Sequence, residues 1–288
     1  MTDGAVPRTE VERVVVDCYN CGSPEHEHYL SENGFAMVRC LDCGMLYVRE
    51  RPSDELIDDS TALGEHLGEQ NLHVDVRYNP AVQARYRHAL PRLFPEGLDA
   101  AESWLDVGCG HGEFIEVVAG EAPGLRVSGC EPNRTKQRSA QSRGLDVTFF
   151  DLSAHTTQYS VVSLLNVFSH LAHPREMIAD LARLVEPGGS FVLQTGDAAH
   201  LTPSEMLRPM CLPDHLSFAS YDILESMITD AGLSVTQVVR YPALERSPRQ
   251  VVREVVKAVS PRHRSYLRHY RHWQKYAGVN VWIRAERT

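Results

Sequence analysis

The sequence predicts an α/β protein: an open, mostly parallel sheet with helices on both faces, preceded by a small cysteine-bearing module. Three observations predict it. From residue 100 onward, short apolar runs of β type alternate with helical patterns, and repeated βα units of this kind form a parallel sheet. The first run ends in a glycine loop, Gly108-Cys109-Gly110-His111-Gly112, that opens a helix. Ahead of it stand two C-x-x-C-G pairs, Cys18/Cys21 and Cys40/Cys43. A length of 288 residues accommodates one domain plus an appendage.

The appendage comes first in the chain. Its two residues between paired cysteines let both sulfurs address one ion, and the glycine that follows lets the backbone fold beneath them. The pairs stand 18 residues apart, within zinc-ribbon spacing. Between them, Tyr29-Leu30 and Phe35-Ala36-Met37-Val38-Arg39 read as strands around a turn at Glu32-Asn33-Gly34. Cys18, Cys21, Cys40 and Cys43 are therefore expected to hold a structural Zn2+. Four thiolates leave no open position for a substrate. A piece this small cannot bury a core alone, so the metal is expected to contribute its folding energy. The module is assigned to residues 1–50. Cys109, Cys130 and Cys211 are singletons and read as buried small hydrophobes.

Residues 51–79 are polar with scattered glycines and read as a linker or a lid. The main domain is assigned to 80–288. A helix is expected at 80–94, then a strand at 104–107 and a helix at 112–120. Strands follow at 125–130, 145–150, 161–167, 190–195 and 233–241, with helices at 133–142, 174–185 and 221–231. Residues 196–220 form an insertion containing Pro203, Pro209 and Pro213, and long loops in compact domains usually carry function. Residues 248–276 read as a basic helical segment, and 279–286 as a final antiparallel strand.

Ligands in open α/β sheets bind beyond the carboxyl ends of the strands. The glycine loop lies there. Its spacing is G-x-G-x-G, because Glu113 stands where a dinucleotide fingerprint has its third glycine. Asp106, two residues before the loop, is unwelcoming to a pyrophosphate but suits an ammonium group. Glu131, 21 residues after Gly110, suits ribose hydroxyls. Asn133 is placed to cap the next helix. Asp151, after Phe149-Phe150, is placed to accept from an exocyclic amine.

Together these residues resemble class I S-adenosylmethionine-dependent methyltransferases over roughly residues 75–241. The resemblance rests on Asp106-x-Gly108-x-Gly110-x-Gly112, Glu131, Asp151, the run Val162 to Leu171, and Leu184-Val185-Glu186-Pro187-Gly188-Gly189-Ser190-Phe191-Val192-Leu193. It implies a Rossmann-like seven-stranded methyltransferase sheet with S-adenosylmethionine as cofactor. By this likeness Asp106, Gly108, Cys109 and Gly110 hold the methionine end, Glu131 and Pro132 the ribose, and Asp151 and Leu152 the adenine. Asn166 and Val167 line the methyl side. The chain departs from the family at Tyr159-Ser160, where many members begin the strand with Phe-Asp, and at Ser169-His170, where many have Glu-His.

With the cysteine pairs, the likeness narrows to bacterial methyltransferases of natural-product and sugar precursors. These include sugar C-methyltransferases with a four-cysteine zinc module; the further large C-terminal domain those usually carry is not expected within these 288 residues. Leu212-Pro213-Asp214-His215-Leu216 resembles the family's Pro-Glu-His-Leu segment over the acceptor pocket. His170 and His215 are the candidate bases, weighed against helix-start roles. Asp197 reads either as an orienter of an acceptor hydroxyl or as an exposed loop residue. Tyr78 and Arg77 are candidates to close over the cofactor.

The formal charge is −9, from 29 Lys+Arg against 38 Asp+Glu, which disfavours a grip on long nucleic acid. From Arg240 to Thr288 there are 12 basic and 3 acidic residues, +9, so the remainder carries −18. The basic end leaves room for an anionic or nucleotide-linked small-molecule acceptor. A zinc-headed ribosomal RNA methyltransferase is the leading alternative, and a non-catalytic S-adenosylmethionine-binding protein the second. No apolar run reaches the length of a membrane span, and the N-terminus shows no apolar leader, so a cytoplasmic chain is expected. A homodimer is compatible with the sequence.

Overall fold

The computed structural model describes residues 12–65, 67, 77–152, 155, 157–206, 209–240 and 280–288. The expected basic helical segment 248–276 lies outside the described residues. In chain order the elements are strands β1 (Arg13–Val15), β2 (His26–Glu32), β3 (Phe35–Cys40), β4 (Leu46–Val48) and β5 (Glu50–Pro52), then helix α1 (Asp54–Leu63). A 3-10 turn at Pro80–Val82 leads into α2 (Gln83–Leu93), followed by β6 (Ser103–Val107), α3 (Glu113–Glu121), β7 (Arg126–Glu131), α4 (Arg134–Gln141) and β8 (Val147–Phe149). Next come β9 (Tyr159–Leu165), a 3-10 turn at Phe168–His170, α5 (Pro174–Leu184), β10 (Val185–Gly196) and β11 (Ser217–Phe218). The chain continues with α6 (Tyr221–Asp230), β12 (Leu233–Arg240) and β13 (Asn280–Arg287).

The main sheet has seven strands in the order β12-β13-β10-β9-β6-β7-β8. Neighbours from β8 through β10 pair in parallel, while β13 runs antiparallel between β10 and β12. Hydrophobic patterning explains the placement. Central β9 is buried at every residue after Tyr159, whereas edge strand β12 alternates buried or half-buried with exposed. One face of the sheet carries an aromatic cluster in which Phe94, Trp104, Phe114 and Trp282 are buried. Fully burying one such side chain contributes roughly 2–3 kcal/mol. The other face packs α5 and α6 through Ile178, Leu181, Leu224 and Ile228.

The connections reverse direction at β6, which leads to β7 on one side and has β9 on the other. This is the switch point at which open α/β sheets form their crevice. The glycine loop and Asn166-Val167 both lie at that end.

The N-terminal module is a second sheet of four strands in the order β11-β4-β3-β2. Its hairpin turn has two central residues at positive φ, Asn33 (54°) and Gly34 (78°), as a tight two-residue connection requires. The outer strand β11 comes from the 196–220 insertion, pairing Ser217 with Tyr47 and Phe218 with Leu46. Tyr29, Leu30, Phe35, Met37, Leu46 and Val48 bury against Ala198, Ala199, Met206, Met210 and Leu212. Apolar burial against the insertion is therefore a source of the module's stability that the sequence reading, which assigns its folding energy to metal, does not include. The stretch read as a linker or lid carries β5 and α1. Ser53 precedes α1, acidic Asp54 and Glu55 occupy its first turn, and Gly64 at φ 73° ends it.

Candidate functional site

The glycine loop is held by its neighbours. The N–H groups of Gly108 and Cys109 both donate to the carbonyl of Cys130, at 2.8 and 3.2 Å. Gly108 sits at φ 70°, and a Cβ there would lie 2.5 Å from Val167 Cγ2. This close approach brings the loop against the end of β9. Beyond Gly110, at φ 59°, a Cβ would meet open space, so no described side chain covers that backbone. Gly108→Ala is expected to lower stability by about 1–3 kcal/mol through strain and the Val167 clash, readable as a lower midpoint in urea.

Two carboxylates stand beneath and beside the loop. Asp106 is 2% exposed and accepts from Ser163 Oγ at 2.6 Å; Ser163 Oγ in turn accepts from Trp104 Nε1 at 2.9 Å. Burial pushes the Asp106 carboxyl up to about 7, against the lowering effect of Ser163 and with a further push from Glu131. Glu131 is 4% exposed and accepts from Gly110 N at 2.7 Å and Asn133 N at 2.9 Å. Burial raises it too, opposed by Lys136 and by those backbone donors. Asn133 caps α4, accepting from Thr135 N and Lys136 N at 3.0 Å. A buried acidic pair at an open glycine backbone is chemically matched to a group bearing an ammonium and hydroxyls. Pro132 and Leu152 are half-buried, while Asp151 is exposed just past β8.

At the end of β9, exposed Asn166 adopts φ 58° and donates its N–H to Gln194 O at 2.9 Å. The next turn and the insertion bring the two histidines together, with rings 4.6 Å apart. His170 Nδ1 lies 2.8 Å from Asp214 O, and His215 Nδ1 lies 2.7 Å from Met210 O. A carbonyl only accepts, so each Nδ1 carries the proton and Nε2 of a neutral ring is the basic nitrogen. Leu216 N donates to Ser169 O at 2.6 Å, tying the two segments at the backbone. Leu67 N donates to Asp214 Oδ1 at 3.0 Å, so the stretch after α1 reaches the same loop.

Neither sequence role offered for Asp197 describes it. It is 5% exposed, caps α6 by accepting from Tyr221 N at 2.9 Å, and its other oxygen pairs with Arg240. Tyr78 packs beside the helix that follows the glycine loop: its hydroxyl donates to Glu116 at 2.6 Å, and the Arg143 guanidinium lies 4.0 Å from its ring centre. Ser163, Glu116 and Glu32 are the residues that local patterning did not single out.

The four cysteines converge as expected. The Sγ atoms of Cys18, Cys21, Cys40 and Cys43 all lie within 4.8 Å of one another. Each knuckle closes with Gly22 N to Cys18 O at 2.9 Å and Gly44 N to Cys40 O at 3.0 Å. Cys18 and Cys43 approach to 3.5 Å, and the hydrogen bond between them lowers the Cys43 thiol while raising that of Cys18, as expected of two sulfurs sharing one proton. Tetrahedral zinc with bonds near 2.3 Å needs sulfurs roughly 3.8 Å apart, so the donor set fits such an ion.

Strand order, glycine loop and acidic strand end together define a methyltransferase-type α/β domain. A family model described as a methyltransferase domain matches residues 78–238, and the chain belongs to that family. The Ubiquinone biosynthesis O-methyltransferase of Klebsiella pneumoniae is 33% identical over 100 residues, 32% of this chain and 41% of that protein. Its Salmonella enteritidis counterpart is 32% identical over 101 residues. The match thus spans about two-fifths of these curated relatives. Among solved structures, a SAM-dependent methyltransferase from Archaeoglobus fulgidus aligns with a TM-score of 0.52 at 17% identity, covering 72% of this chain and 93% of that one. Geranyl diphosphate C-methyltransferase from Streptomyces coelicolor aligns at 0.55 and 16%, covering 71% and 79%. At these identities the likeness is one of fold. No helix among the described residues is long and apolar enough to cross a membrane.

Proposed function

We propose that the chain transfers a methyl group from S-adenosylmethionine to a small-molecule acceptor, a natural-product or sugar-nucleotide hydroxyl, amine or carbon. What supports this reading is that two buried carboxylates end β6 and β7 while a histidine pair has one member just past β9, so they belong to the carboxyl ends of neighbouring strands. When bound, the cofactor supplies a methyl on a cationic sulfur already activated for in-line displacement. Asp106, Gly108, Cys109 and Gly110 hold its methionine end, where an ammonium relieves the desolvated acid. Glu131, with Pro132, takes the ribose through lone pairs left on both oxygens. Asp151 and Leu152 face the adenine, and Asn166 and Val167 line the methyl side. Cys18, Cys21, Cys40 and Cys43 hold a structural Zn2+. Family membership supports this assignment, as do relatives named for an O-methylation in ubiquinone biosynthesis.

His170 and His215 act on the acceptor. With Nδ1 fixed to a carbonyl, the Nε2 of one ring takes the proton that the acceptor loses, and the other orients the acceptor. An anionic or nucleotide-linked acceptor suits the basic chain end, which the sequence places among residues 240–288.

The test is release of S-adenosylhomocysteine in the presence of a panel of sugar nucleotides and phenolic precursors. With an acceptor from that panel, His170→Ala and His215→Ala are each expected to lower kcat by about 10²–10⁴. S-adenosylhomocysteine affinity should stay within twofold by calorimetry. Full activity in both variants contradicts the base assignment.

A further inference from the structure

Glu32 sits at the end of β2, on the hairpin of the cysteine module, 178 or more residues from the groups it binds. Its carboxylate accepts three consecutive backbone N–H groups of the insertion. Oε2 accepts from Met210 at 2.9 Å, and Oε1 from Cys211 at 2.6 Å and Leu212 at 3.3 Å. Three successive N–H groups converging on one anion form a nest, which needs a residue in the left-handed region. Cys211 supplies it at φ 61°. A non-glycine residue held there persists only where its surroundings over-determine it. The carboxylate does so, helped by Asn33 Nδ2 donating to Leu212 O at 2.8 Å.

What the nest carries is the acceptor side of the crevice. Met210, whose N–H is held by Glu32, offers its carbonyl to His215 Nδ1 at 2.7 Å. Cys211 likewise accepts from His215 N at 3.1 Å. The module thereby fixes both the backbone and the imidazole orientation of His215, and through the 4.6 Å ring contact it adjoins His170.

We propose that Glu32 is a positioning residue: by filling the nest at residues 210–212 it sets the orientation and tautomer of His215 and couples the metal-bearing module to the acceptor site. The importance of His215 rests on the proposed function, but the coupling itself is a property of the fold. No metal ligand is touched by Glu32, so its removal separates loop positioning from metal retention.

The experiment uses the full chain with its metal and needs no acceptor. Glu32→Ala removes the anion; Glu32→Gln keeps the volume but turns an amide donor toward the N–H groups. Both variants should retain one zinc per chain and bind S-adenosylhomocysteine within twofold of the parent. Amide hydrogen exchange at residues 210–212 should accelerate about tenfold to a hundredfold, the effect of losing charge-assisted hydrogen bonds. Imidazole 15N shifts should move His215 away from the Nδ1-protonated form. If zinc and cofactor binding persist while exchange and tautomer are unchanged, the proposal is overturned. It is equally overturned if both variants lose zinc, because Glu32 then serves the module's own fold. Should the loop loosen in both variants while His215→Ala retains full activity, the positioning role stands and the base assignment in the proposed function fails.

Discussion

Asp106→Asn is expected to make the ligand-free chain more stable at pH 8 and to weaken S-adenosylhomocysteine binding about tenfold to a hundredfold. The two effects share one cause. Burial raises the Asp106 carboxyl from 3.8 to about 7 in the folded chain. The unfolded chain releases this proton near pH 4, so between there and pH 7 the folded state holds the extra proton and loses stability as pH rises. Above pH 7 the penalty is complete and reaches as much as about 4 kcal/mol. Asparagine has the same shape and keeps an oxygen for Ser163 Oγ, but needs no charge in the core. Its melting temperature at pH 8 should exceed the parent's by about 5–10 °C, and the gain should shrink toward pH 4. The loss in affinity reflects a missing charge-assisted bond to the ammonium. Thermal melts at several pH values and calorimetry read both effects. A variant less stable than the parent at pH 8, or one that binds as tightly, contradicts the role given to Asp106.

Removing the metal should have the larger structural effect. Four thiolates within 4.8 Å repel once deprotonated unless a cation joins them. Structural zinc contributes about 10–16 kcal/mol to isolated zinc-finger peptides. Here the module also shares a core with the insertion, so its loss exposes Met206, Met210 and Leu212. Cys40→Ser, or prolonged chelation, should lower the melting temperature by more than about 10 °C. Exchange protection should disappear from 26–48 and 210–218. β6, β7 and α3 should keep their protection, because the contacts that hold the glycine loop come from Cys130 on β7 and Val167 just past β9. Metal analysis should find one zinc per chain before treatment. A Cys40→Ser chain that melts with the parent and holds no metal contradicts the structural role.

Features written in local patterns were legible in the sequence. The glycine loop, the C-x-x-C-G knuckles, the Asn133 cap and the antiparallel last strand each depend on neighbours a few residues away or on plain periodicity. His215 is reached by resemblance and His170 by its place directly after a central strand, and the structure brings their rings to 4.6 Å of one another. What stayed hidden depends on distant partners. Glu32 reads as an ordinary hairpin residue because nothing near it hints at N–H groups 178–180 residues on. Asp197 caps a helix that begins 24 residues later, while Ser220, at the N-cap position itself, makes no side-chain cap bond. Helix α1 escaped notice because it buries only Ser60 and so shows no apolar stripe. The insertion's strand β11 is two residues long, too short for any periodicity.

The central claim is methyl transfer to a small molecule. Incubation of the zinc-loaded chain with methyl-tritiated S-adenosylmethionine, a mixed small-molecule extract and ribosomal RNA tests it most directly, with the label then partitioned by size. The reading predicts label in the small-molecule fraction, transferred more slowly by Asp106→Asn at sub-saturating cofactor and by the double variant His170→Ala/His215→Ala. Label confined to RNA, or tight cofactor binding with no label transferred to either fraction, would contradict it.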